Sequence, residues 1–290
     1  MSEENTTITE EKKQENSGRA MLNAFKEEFS TTSNGIYINS LKKTMQFKEI
    51  SVNEQKTLSK IMIENEDRKD IVYDTQCALI NRLCLEEGFD IYDLTEFDRI
   101  KILMEIYQNN YFQNEVTYKC KECGCENKYK IDFTKIVEKL NGFNLDPIPY
   151  TVEDGSHAYT FYLAYPNVRR IADFHKTYTK KYRNATSKER SVLDHLGNVE
   201  YMSVYINRIE ALNKKTKNQT VADFTELTYG ECEQIISLLP QSIFFSDENG
   251  VLKFASETFI DSIGKVFQYE KCAQCGAQTE EGIGSVADFF

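Results

Sequence analysis

Two CxxC pairs, Cys120-Lys-Glu-Cys123-Gly124 and Cys272-Ala-Gln-Cys275-Gly276, carry the most specific chemistry in this chain. Each pair sets two thiols across a tight turn, and the glycine that follows supplies the backbone freedom a metal knuckle needs. Four thiolates drawn together form a tetrahedral, all-sulfur site suited to zinc, with Cys120, Cys123, Cys272 and Cys275 as ligands. Such a site has no open coordination position for substrate or activated water, so its zinc is expected to be structural. Cys125 lies close enough in sequence to replace Cys123, although the two-residue spacer favours Cys120 with Cys123. A redox dithiol is the competing reading, but such a thiol often sits at a helix start, and both pairs here follow strand-like segments.

The surrounding elements fit two half-ribbons. Glu115-Val-Thr-Tyr-Lys precedes the first pair and Lys265-Val-Phe-Gln-Tyr-Glu-Lys the second, while Tyr129, Ile131 and Phe133 alternate with polar residues as a half-buried strand does. Upstream, Gly35–Asn39 and Met45–Ile50 read as a hairpin, and Ser51-Val-Asn-Glu54 is a capping box that opens a helix running to about Glu66. A second helix is expected over Asp70–Glu86, and a third from near Asp93 along Leu94, Phe97, Ile100, Met104 and Tyr107. Asp154-Gly155 marks a turn between strands Ile148–Val152 and Tyr159–Leu163. Pro166 opens a helix with Val168, Ile171, His175 and Tyr178 on its inner stripe, and Val199, Met202, Ile206 and Ile209 then have the spacing of another. Thr228-Tyr-Gly-Glu231 is a second capping box, its helix ended by Pro240, and Ser256–Ile263 reads as a short helix. Cys77, Cys84 and Cys232 fall inside apparent helices as small buried residues.

These elements predict an α+β fold, helix-rich with small antiparallel hairpins, in which a discontinuous zinc-ribbon-like element joins the middle of the chain to the C-terminus. The expected regions are a disordered polar tail (1–20), a hairpin and three-helix region (21–111) whose order begins near Met21–Phe29, the first half-ribbon and a hairpin (112–165), a helical region (166–264), and the second half-ribbon with an aromatic C-terminus (265–290). The 290 residues, 40% hydrophobic, suffice for a core, and no apolar run is long enough to span a bilayer. The polar start lacks a secretory apolar segment, so a reducing cytoplasm is expected, where eight cysteines favour metal ligation over disulfides.

Functional classes narrow accordingly. There is no GxSxG, HExxH, phosphate-binding glycine loop or dinucleotide fingerprint, and His157, His175 and His195 are scattered, so catalysis is not expected. The net charge of −11 opposes general attraction to phosphate backbones. One stretch runs against this: Lys176, Lys180, Lys181, Arg183, Lys188 and Arg190, interleaved with Tyr178 and Tyr182, could neutralise phosphates and stack bases. A nucleic-acid-binding zinc-ribbon protein is therefore the alternative class.

The order of features also resembles a known family. The passages FKEISVNEQKTL, YKCKECGCENKYKIDF and YTFYLAYPNV, and the closing KCAQCG with GSVADFF, resemble the baseplate hub assembly proteins of T-even-type contractile-tailed bacteriophages, from about residue 35 onward. The terminal Asp288-Phe289-Phe290 belongs to this likeness, whereas the Lys176–Arg190 and Lys214–Thr220 stretches look like expansions. The resemblance implies a non-enzymatic structural or assembly factor, with other phage tail or baseplate hub proteins as partners and no small-molecule substrate. It also implies residence in the host cytoplasm during assembly or in the virion tail baseplate.

Overall fold

A computed structural model describes residues 33–111, 115–130, 133–245, 250–266 and 271–277. The expected polar tail, the Met21–Phe29 segment and Asp288–Phe290 lie outside the described residues. The chain opens with an antiparallel hairpin, β1 (Ser33–Ile38) and β2 (Lys43–Lys48), in which Ile36 faces Met45. Ile36, Ile38, Met45 and Phe47 alternate inward into the core, the pattern of a sheet with one face buried. The Ser51–Glu54 capping box starts α1 (Val52–Glu64), followed by α2 (Lys69–Leu83), a 3₁₀ turn (Ile91–Asp93) and α3 (Glu96–Tyr111). Cys77 is buried in α2, whereas Cys84 lies just beyond its end in extended conformation, bridging to Phe47.

Two buried polar junctions fasten this region, each built around a charged side chain held by polar partners, since a buried charge without partners is costly. In the first, the Arg99 guanidinium donates from Nε to Glu96 Oε2 at 2.8 Å and from Nη2 to Oε1 at 2.6 Å, and Nη1 donates to Gln76 Oε1 at 2.8 Å. Tyr73 donates its hydroxyl to the same carboxylate, and Arg99 lies 4.1 Å from the centre of the Tyr73 ring. In the second, buried Lys101 donates to the Tyr37 carbonyl and to Asn39 Oδ1, and the Asn39 amide donates to Asp98 Oδ1 at 2.8 Å. Asn39 Nδ2 also donates to the Leu140 carbonyl at 2.9 Å. The hairpin turn is thereby held to α3 and to the end of α4 (Phe133–Asn141).

Between these helices lies the two-stranded ribbon β3 (Glu115–Lys119) and β4 (Glu126–Lys130). The strand expected through Phe133 stops short, since Phe133 opens α4, and Ile131 lies outside the described residues. Further on, β5 (Ile148–Glu153) and β6 (His157–Leu163) form the expected hairpin, with Asp154 Oδ1 accepting the Ser156 and His157 amides in its turn. Then come α5 (Val168–Asn184), capped by Asn167, and α6 (Ser187–Ser203).

The helical reading of Ile206 and Ile209 is overturned. Both lie on β7 (Ile206–Asn213), which joins β6 on one side and β8 (Gln219–Asp223) on the other to make a four-stranded antiparallel sheet, β5-β6-β7-β8. Leu163 pairs with Ile206 and Tyr162 with Arg208, so Asn207 is the extra residue of a bulge. That bulge lets residues three apart, Ile206 and Ile209, both reach the core, which imitates helical spacing. The segment after residue 203 thus adds a sheet where helix was expected.

The chain closes with α7 (Tyr229–Ser237), opened by the Thr228–Glu231 capping box, then α8 (Gln241–Phe245) and α9 (Val251–Ala255). A π turn (Ser256–Ile260) carries α9 into α10 (Asp261–Val266), so the helix expected at Ser256–Ile263 begins five residues earlier. Tyr165 donates its hydroxyl to the Phe259 carbonyl at 3.2 Å inside that turn. The fold is α+β, as expected, with three antiparallel sheets among the described residues. No described helix is long and apolar enough to cross a membrane.

Candidate metal centre

The β3–β4 ribbon ends in the first cysteine knuckle, and the second follows α10 in sequence. Their local geometries are alike. The Cys120 amide donates to the Cys125 carbonyl at 2.8 Å and the Gly124 amide to the Cys120 carbonyl at 2.9 Å. In the second knuckle the Cys272 amide donates to Ala277 and the Gly276 amide to Cys272, both at 2.9 Å. Gly124 (φ 71°) and Gly276 (φ 72°) occupy the left-handed region that side chains with a Cβ rarely enter, which is what the glycines in this spacing are for.

The four expected ligands meet. The ligand atoms of Cys120, Cys123, Cys272 and Cys275 all lie within 4.8 Å of one another. Close contacts cross between the knuckles, Cys120 to Cys275 at 3.7 Å and Cys123 to Cys272 at 3.6 Å. A disulfide would bring two sulfurs to about 2.05 Å, so these thiols are unbonded. Four sulfurs about 2.3 Å from a central zinc stand about 3.8 Å apart along each edge of the tetrahedron, close to the crossing distances here. The residues fit a tetrahedral metal ion. Cys125 does not join them, because its thiol turns to the Glu126 carbonyl at 3.5 Å.

Cys120 and Cys272 are buried, while Cys123 and Cys275 are exposed. The backbone amides of Cys275 and Gln274, with Asn127 contributing, hold the Cys272 thiol down to about 6, in the range of a ready metal ligand. Cys123 is instead pushed up to about 12: the Cys125 amide pulls it down, but desolvation and the neighbouring thiols outweigh that pull.

Sequence reading missed Asn127. From β4 its Nδ2 donates to the Cys125 carbonyl at 3.0 Å and to Cys272 Sγ at 3.5 Å, and its Oδ1 accepts the Ala273 amide at 3.0 Å. An asparagine two residues after Cys125 is an ordinary strand residue in sequence, and only the fold brings the second knuckle to it.

Among the described residues the other candidates form no comparable cluster, although Lys176, Lys180 and Arg183 line one surface hollow with Arg68 and Asp70. In the basic stretch, Lys176 pairs with Asp74 at 3.4 Å, Lys181 with Glu233, and Arg190 lies over the Tyr182 ring at 5.2 Å. Tyr178 stacks on Phe174 and is half-buried, so it offers no open face for a base. Lys180, Arg183 and Lys188 remain exposed. His157 contacts Ser156 Oγ through Nδ1 at 2.8 Å and Asn213 Nδ2 through Nε2 at 3.2 Å, a turn-stabilising arrangement. His175 packs on Tyr73 with ring centres 5.0 Å apart, and the side chain of His195 lies outside the described set.

Fold and site together define a helix-rich α+β protein in which four thiols from two distant knuckles converge. The chain belongs to the T4 bacteriophage base plate protein family, whose family model matches residues 32–248, about three quarters of its length. That match includes the first knuckle and ends before the second, so the four thiols bring the family region together with the segment beyond it. No curated protein and no solved structure matches the chain.

Proposed function

We propose that this protein is a non-enzymatic subunit or assembly factor of the phage tail baseplate hub, and that Cys120, Cys123, Cys272 and Cys275 hold one structural zinc ion. The observation that carries this reading is the convergence of four thiols, from positions about 150 residues apart, at the edge of a baseplate-family fold. Membership in a structural phage family supports tail proteins as partners, and a donor set of four thiolates supports a metal that stabilises rather than reacts. The engagement of Lys176, Lys181 and Arg190 in ion pairs and a ring contact, and the stacking of Tyr178 on Phe174, weigh against the nucleic-acid alternative.

Co-expression with the phage's own tail hub proteins tests the first part: specific, stoichiometric co-purification is expected, and salt-sensitive DNA binding without any hub association would sink it. Elemental analysis tests the second, with about one zinc per chain expected. Iron, which a four-sulfur tetrahedron also suits, would show as colour and in the same assay.

A further inference from the structure

Asn127 is buried, at 8% exposure, and sits opposite Tyr118 in the β3–β4 ribbon. Its amide group touches both knuckles at once. The orientation is set by its partners: Oδ1 faces the Ala273 amide, a donor, and Nδ2 faces the Cys125 carbonyl, an acceptor. A flipped amide would set donor against donor and acceptor against acceptor. Nδ2 is therefore the group aimed at Cys272 Sγ.

On the reading of the four thiols as a metal site, we propose that Asn127 is its positioning residue: it docks the second knuckle onto the first and donates a hydrogen bond to Cys272 Sγ, and so sets how tightly the metal is held. Three neighbours of the side chain constrain its identity. An acceptor is needed for the Ala273 amide, a donor for the Cys125 carbonyl, and a donor for the sulfur. Asparagine supplies all three from one short planar group. Aspartate keeps the first and sets a carboxylate against a thiolate and a carbonyl. Alanine keeps none, and leaves the Ala273 amide without this acceptor. The second knuckle, 145 residues further along the chain, would then rely on the metal alone to find its place. Partners of this kind outside the ligand set change metal affinity by about 10- to 100-fold when removed.

The test compares wild type, Asn127→Ala and Asn127→Asp, all full length, by competition with a chromophoric zinc chelator and by the sulfur-to-metal charge-transfer bands of the cobalt(II) forms. Both variants are expected to bind one metal ion per chain, about 10- to 100-fold more weakly, with shifted charge-transfer bands that report the lost hydrogen bond to sulfur. Asn127→Asp preserves the side-chain shape and decides the matter if Asn127→Ala does not fold. Unchanged affinity and unchanged bands in the folded variants overturn the role of Asn127 and leave the metal site standing. A folded wild type that takes up neither zinc nor cobalt overturns both.

Discussion

The sulfur of Cys120, sheltered from solvent, stands 3.7 Å from that of Cys275, which is exposed and 155 positions later in the chain. The contact is repeated with the roles exchanged, Cys272 buried and Cys123 exposed, at 3.6 Å. Each knuckle thus contributes one inner and one outer thiol, and the closure takes in everything from the first ribbon to α10.

Removing a ligand or the metal should open that closure. In Cys272→Ser, bound zinc is expected to fall from about one per chain to near none, and a chelator should lower the melting temperature of wild type but not of the variant. In wild type, free zinc at about 1,000 times its Kd adds about 4 kcal/mol of stability. Calorimetry with and without chelator checks this, and equal melting temperatures in wild type would reject it.

Gly276 separates backbone strain from crowding. Nothing lies within 4 Å of where a Cβ would stand, so Gly276→Ala meets only the cost of its φ of 72°, about 1–2 kcal/mol. Zinc affinity should drop about tenfold, and Gly276→Asn, which tolerates this region better, should lose less. Chelator competition on the two variants reads the difference.

Glu96→Ala leaves the Arg99 charge buried with Gln76 as its remaining side-chain acceptor. The expected loss is about 3–5 kcal/mol in urea unfolding, since a buried charge without its counter-ion is far costlier than an exposed one. A loss below about 1 kcal/mol would mean that the junction relaxes or admits water.

Burial pulls the His175 imidazole down to about 4, with Glu96 and Asp70 opposing and Arg99 and Lys69 assisting. The unfolded chain takes up this proton near 6.5, the folded chain only near 4, so folding favours the neutral ring. Its contribution is fully present above pH 6.5 and fades as pH falls toward 4, by about 3 kcal/mol at most. His175→Phe retains an aromatic ring against Tyr73 and Phe174, and its stability should fall less steeply between pH 6.5 and 4 than that of wild type. Parallel slopes in urea titrations of the two proteins would exclude His175 as a source of acid sensitivity.

What was legible in the sequence was local. Ser51 with Glu54 and Thr228 with Glu231 announced helix starts because a cap is made within three residues. Asp154 with Gly155 announced the β5–β6 turn for the same reason. Ile206 and Ile209 misled because a bulge at Asn207 restores to a strand the three-residue spacing of a helix, and the bulge exists only once β6 is alongside.

By itself, the sequence determined the two knuckles: cysteine spacing and the following glycine act within six residues, and any fold that forms them forms them alike. Only the tertiary structure decided that they face one another, that Cys123 rather than Cys125 joins the cluster, and that Asn127 spans the gap. The physical reason is range. A turn is specified by the residues that make it, whereas a contact across about 150 residues depends on packing of the intervening helices and sheets that no single segment encodes.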